Sequence, residues 1–159
     1  MEGTNYSAGC FLKENEMLIR MVGVLCAFVC TCSVTMSDDG DKARAMLERV
    51  VIEVKKDEAA AIQMFTKGDN GFRDGYIYPF CFRISDGIVV TGQTAGKDIR
   101  TFSGAAGQQI FDAAQKPEPQ ITQIEYLGPK PGTGDRTPVR KVSFVRRVGE
   151  LGCGVGYYP

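Results

Sequence analysis

KVSFVRRVGELGCGVGYY (141–158) is the stretch on which the fold turns. Residues 141–148 are rich in Val and Phe, residues 151–158 alternate apolar side chains with Gly152, Gly154 and Gly156, and a Val-Gly-Glu turn separates the two runs. Gly149 supplies the permissive backbone that such a turn requires, so the segment reads as an antiparallel hairpin. Glycine weakens a strand. Three at every second position therefore predict that something large, a helix or a bound molecule, lies directly on that face.

Outward from this hairpin, further strands appear at regular spacing. ITQIEYL (121–127) reads as a strand, followed by the Pro/Gly-rich loop GPKPGTGDRTP (128–138). Earlier, YIYPFCFRI (76–84) and IVVTG (88–92) flank the turn Ser85-Asp86-Gly87, which makes a second hairpin. Pro79 cannot donate to a ladder and marks a strand start or a bulge. Between the two hairpins, residues 105–115 form a short helix.

The first regular element is a long helix over 38–65. Asp38, Asp39 and Asp41 supply cap and dipole-favoured charge, and Ala43, Met46/Leu47, Val50/Val51, Val54, Ala61/Ile62 and Phe65 recur at three-to-four spacing. KGDNGFRDG (67–75) then breaks the helix. It lacks the spacing and terminal glutamate of a calcium-binding EF-hand loop, so it is a plain turn. The order of helix, two strands, short helix and three strands specifies an α+β fold, a long N-terminal helix packed on a five-stranded antiparallel sheet.

Composition narrows the function. With 159 residues there is room for one ordinary domain, and 19 basic residues balance 19 acidic ones. No basic block interleaves with aromatics, which excludes a phosphate-neutralising nucleic-acid surface. The chain contains no histidine. That removes the commonest general base, the commonest zinc ligand and every Ser/His or Cys/His nucleophile, so the chain reads as a non-enzyme without metal or cofactor. An enzyme would have to use carboxylates such as Glu125 with Asp135, or a nucleophile such as Lys141 with Cys153, and no spacing brings either pair together.

Residues 1–37 form a separate unit. Sixteen uncharged residues, MVGVLCAFVCTCSVTM (21–36), follow Arg20 and precede the acidic SDDGDK. This is the order of a secretory signal peptide cleaved near Ser33 to Ser37, favoured over the alternative that residues 17–36 are retained as a membrane anchor, with the first sixteen residues as an N-terminal extension. Either reading places residues 38–159 in the periplasm or outside the cell. Of the six cysteines, Cys81 and Cys153 alone lie in that exported part. An oxidising compartment permits a disulfide between them, and two buried thiols are as ordinary.

DGYIYPFCFRISDGIVVTGQTAGKDIR (74–100), the element Pro129-Lys130-Pro131-Gly132-Thr133-Gly134 and the closing hairpin together resemble the single Cache domain, the PAS-like extracellular sensor module of bacterial chemoreceptors and histidine kinases. The likeness covers about residues 40–158. It departs from the family pattern at Thr91-Gly92-Gln93, where members often carry histidine. The resemblance implies a helix-backed antiparallel sheet with a small-molecule pocket on the other side, open to organic acids or amino acids.

Strand parity supplies candidate contacts for such a ligand. Tyr78, Phe80 and Phe82 share one face of their strand, Lys141 and Ser143 share one face of theirs, and Thr122, Ile124 and Tyr126 share a third. A carboxylate needs a cation or oriented donors beside an apolar wall. Lys141, Ser143, Tyr126 and the connector residue Lys97 are the polar candidates, with Tyr78, Phe80, Phe82 and Tyr157 as walls. Arg140, Arg146 and Arg147 read as surface. The sequence thus describes an exported sensor module that binds a small metabolite without catalysis and works with a membrane signalling protein. The alternative is a protein-interaction module whose sheet docks a membrane partner.

Overall fold

The computed structural model describes residues 38–102 and 105–159. The reading of residues 1–37 as leader or anchor lies outside them, and no described helix is long and apolar enough to cross a membrane. The first described helix, α1 (Asp39–Lys56), carries Asp39 and Asp41 in its first turn and Lys55 and Lys56 in its last, each sign at the end its dipole favours. Ala43, Met46, Leu47, Val50, Val51 and Val54 form its buried stripe.

The expected single helix over 38–65 is two. Asp57 adopts an extended backbone, closes α1 through its N–H on the Glu53 carbonyl, and caps α2 (Glu58–Lys67) by accepting from the Ala60 N–H at 3.0 Å. An aspartate that satisfies a second helix's orphan donors can stop the first, even inside a continuous apolar periodicity. The break turns Ala61 and Phe65 toward Phe72, whose ring lies 4.7 Å from that of Phe65. Gly68, at φ 77°, ends α2 in the left-handed conformation that glycine adopts without a Cβ penalty.

Four strands form one antiparallel sheet, β1 (Tyr78–Arg83), β2 (Thr122–Gly128), β3 (Val139–Val148) and β4 (Leu151–Tyr157), in the spatial order β1-β4-β3-β2. The closing hairpin is therefore β3–β4, as its residues require. The expected fifth strand over 88–92 is not formed. Val89 bridges to Phe82 on one side and exchanges hydrogen bonds with Lys97 and Gly96 on the other, so the returning chain is divided between β1 and the connector. Gly92 and Gly96 both lie at positive φ and turn the chain before a ladder can lengthen.

The two sheet faces differ. Cys81, Phe144, Val148, Leu151, Cys153 and Val155 pack beneath α1 and α2, where a disulfide joins the directly opposed Cys81 and Cys153. Arg146, read as surface, is buried here at 6% exposure, with its guanidinium 3.3 Å from Glu48 of α1. It falls on the inward parity of a strand that α1 covers. On the other face α4 (Ala105–Ala114) lays Ile110, Ala113 and Ala114 over Phe82, Ile124 and Val145. The short helix α3 (Ile99–Phe102) precedes it, and Gly107 lets the two approach until a Cβ would stand 2.0 Å from the Ile99 carbonyl oxygen.

The glycine row is filled by side chains from the neighbouring strands and α4. A Cβ at Gly152 would meet Phe82 at 2.4 Å and Ala114 at 2.6 Å, and one at Gly154 would meet Phe80 at 2.5 Å. Over this half of the sheet the large neighbour is aromatic core.

Candidate functional site

Beyond the reach of α4, the same face ends in a cluster of polar groups. Register places Tyr78 beside Gly156, Gly156 beside Ser143, Ser143 beside Ile124, and Lys141 beside Tyr126. Lys141 belongs to β3, yet its ammonium reaches across β4 to β1. Gly156 makes that possible: a Cβ there would lie 2.7 Å from Lys141 Cε and 2.8 Å from Ser143 Oγ. The missing side chain is the channel through which the lysine passes.

Lys141 Nζ donates to Tyr78 Oη at 3.3 Å. It lies 5.1 Å from the Tyr78 ring centroid, 5.2 Å from that of Tyr158 and 5.9 Å from that of Tyr126. Tyr126 Oη and Ser143 Oγ share a hydrogen bond of 3.2 Å. Lys141 is 8% exposed and Ser143 fully buried, while the three tyrosines are half-buried. Among the described residues, no carboxylate forms an ion pair with Lys141.

The electrostatics follow from that composition. Burial pulls the Lys141 pKa down, but Tyr126, Tyr78 and Tyr158 more than offset it, and the ammonium titrates above its ordinary 10.5. Burial also pushes the Tyr158 phenol above 10.0. The site is thus one ammonium among tyrosine hydroxyls. A buried cation without a counter-charge is rare in proteins, since desolvation is normally offset by a paired carboxylate.

The structure brings together Tyr78, Tyr126, Lys141 and Ser143. Phe80 lies next along β1, half-buried against Gly154, and Phe82 sits deeper, beneath α4 and 6.0 Å from Phe111. Lys97 is an exposed residue of the connector, its carbonyl accepting from the Val89 N–H. Tyr157 is on the opposite face, stacked 6.0 Å from Phe144 and against Gly40 of α1. Tyr158 takes the place at the cluster instead. The signal was present in the chain: Tyr158 continues the parity of Gly152, Gly154 and Gly156, whereas Tyr157 shares that of Cys153 and Val155.

A cavity of about 270 Å³ at the start of α1 includes Tyr158 of the cluster, and another of about 380 Å³ lies between α4 and the β2 edge, lined by none of the cluster residues. Among the described residues, no group of three or more acidic or cysteine side chains could hold a metal.

No family model matches this chain, and no curated protein does. Solved structures do. A methyl-accepting chemotaxis protein from Vibrio parahaemolyticus RIMD 2210633 aligns over 76% of this chain and 88% of its own, with TM-score 0.57 and 16% identity. The periplasmic sensor domain of a chemotaxis protein aligns over 74% and 88%, with TM-score 0.52 and 21% identity. A Cache chemosensory domain, described for carboxylic acid recognition, aligns over 76% and 92%, with TM-score 0.55 and 18% identity. At these identities the likeness is one of architecture, and the chain has the fold of Cache-type sensor domains.

Proposed function

We propose that this Cache-fold domain is an exported, non-catalytic sensor module that binds a small organic carboxylate on the Lys141 ammonium. The observation that carries this reading is the buried, counter-charge-free Lys141. A ligand carboxylate would supply the missing partner, and charge-assisted hydrogen bonds are roughly twice as strong as neutral ones. Tyr78, Tyr126 and Ser143 offer hydroxyls at the same end, and Phe80 offers an apolar edge for the rest of the molecule. The nearest chemistry-bearing groups are an ammonium and hydroxyls, with no carboxylate paired to the ammonium among the described residues, an arrangement suited to holding an anion.

The sensor role rests on the architecture shared with chemotaxis sensor domains, one of which is described for carboxylic acid recognition. It implies an extracytoplasmic location and a membrane signalling partner. A panel of short mono- and dicarboxylates and amino acids, each run against its uncharged amide, tests the reading by thermal shift on the full chain. A binder present at 100 times its Kd should stabilise the fold by about 2.7 kcal/mol, and the amide should not. A panel without any carboxylate-specific shift would overturn it.

A further inference from the structure

The cavity at the start of α1 carries a second chemistry, and it shares the Tyr158 ring with the Lys141 cluster. Its walls include Asp39, Lys42, Asp74, Tyr76, Lys130 and Tyr158. Two aromatic rings converge there: Tyr76 and Tyr158 meet edge to face, 5.8 Å apart at 74°. The Tyr158 ring is held in place by its hydroxyl, which donates to the Pro129 carbonyl at 2.8 Å. An ammonium already sits against both rings, Lys130 Nζ at 5.4 Å from Tyr76 and 5.7 Å from Tyr158.

The carboxylates of the cavity are not equivalent. Asp39 is paired with Lys42 at 3.1 Å, which neutralises both. Asp74 forms a backbone bridge with Ile77, and its carboxylate enters no hydrogen bond or ion pair among the described residues. The cavity therefore presents two π-faces and one carboxylate, Asp74, that lies in the field of Lys42 without an ion pair to it, and Lys130 engages only the faces.

We infer that Tyr76, Tyr158 and Asp74 form a binding site for a small organic ammonium, with Lys130 as its resident competitor. A cation is drawn to the ring quadrupoles, and a methylated ammonium is favoured because it gives up less hydration than a lysine head. An untethered cation can settle between the rings and Asp74 together. Lys130 is exposed and carried on a long flexible stem, so it can swing into solvent and leave the rings free. The net charge of the cavity is unchanged by the exchange, which is why the site can take a cation although a lysine already occupies it.

Choline is the probe, set against the neutral alcohol in which carbon replaces its nitrogen, with binding read by calorimetry on the full chain. Choline should bind with one-to-one stoichiometry and the neutral alcohol should not. Lys130→Ala should tighten choline roughly fivefold, since that change removes a competitor worth about 1 kcal/mol at an exposed cation–π site. Tyr76→Ala and Asp74→Asn should each weaken it at least several-fold. All three positions are exposed, so the variants keep the fold. Equal binding of the neutral alcohol, weaker choline binding by Lys130→Ala, or no choline binding by either the parent or that variant would each overturn the inference.

Discussion

Replacing Lys141 by methionine should make the empty protein more stable while removing its carboxylate response. Transfer of an ammonium to a site 8% exposed carries an effective penalty of several kcal/mol after relaxation. Against this stand three ring faces at 5.1, 5.2 and 5.9 Å and one 3.3 Å hydrogen bond to a phenol. The faces contribute about 0.5–2 kcal/mol each and the bond about 1 kcal/mol, together of the same size as that penalty, so the balance without ligand is close to zero, in line with tyrosines that offset burial. Methionine has a similar length, carries no charge to desolvate, and makes sulfur–aromatic contacts worth about 0.3–1.5 kcal/mol with the same rings. The expected gain is about 0.3–1.5 kcal/mol, the sulfur–aromatic contribution left once the cost and the return of the charge cancel. Urea unfolding would show it as a higher midpoint at constant slope, and the carboxylate-induced thermal shift should vanish in the same variant. Alanine would not serve, because it adds a cavity to the comparison. A methionine variant less stable than the parent by more than about 1 kcal/mol would refute the reasoning, since Lys141 would then be a satisfied structural group.

Gly152→Ala should destabilise by about 3 kcal/mol in urea unfolding, at the upper end for overpacking, because its Cβ would strike both Phe82 at 2.4 Å and Ala114 at 2.6 Å in a fully buried site. Removing the Cys81–Cys153 bridge, which spans 72 residues, should cost about 4 kcal/mol by chain entropy, read as the difference in unfolding midpoint between the parent and the Cys81→Ala/Cys153→Ala variant. Glu118 accepts from Lys55 at 2.8 Å and from the Gly149 N–H at 2.7 Å, and these hydrogen bonds, led by that of Lys55, hold its pKa below the ordinary 4.5. A depressed folded pKa adds stability above pH 4.5 that is lost as pH falls through the depressed value, so Glu118→Gln should flatten the acid limb of a stability profile that the parent shows falling.

Periodicity carried most of the architecture. The α1 stripe, the β3–β4 hairpin and the strand faces all follow from spacing, because one buried face per element leaves a repeating mark on the chain. What spacing could not show was where one residue overrules its neighbours. Asp57 ends a helix that the apolar pattern would continue, and Gly92 with Gly96 cuts short a strand that Ile88-Val89-Val90 would extend. At the candidate site, parity brought Tyr78, Tyr126, Lys141 and Ser143 to one face. It could not show that Gly156 is the passage for Lys141, since that depends on which neighbour leans across the gap. The buried Arg146 escaped for a related reason: the charge of an arginine points outward in any composition argument, and only the overlying α1 with Glu48 makes an inward one tenable.

The same alternation explains how a marginal site can persist in a stable sheet. Sixteen buried residues and the disulfide lie in the cluster on the α1 face, against eight in the cluster beneath α4. The sheet is thus secured from one side, and the end bearing Lys141 contributes little to holding it together. A group that adds little stability when empty is tolerated where its neighbours do not depend on it, and β3 meets that condition residue by residue. Val142, Phe144 and Val148 belong to the secured face, while Lys141 and Ser143, between or beside them in sequence, face the tyrosines. A strand built this way lets the polar cluster change without loosening the core, and it sets any ligand-driven movement of Lys141 one residue from the side chains that meet α1.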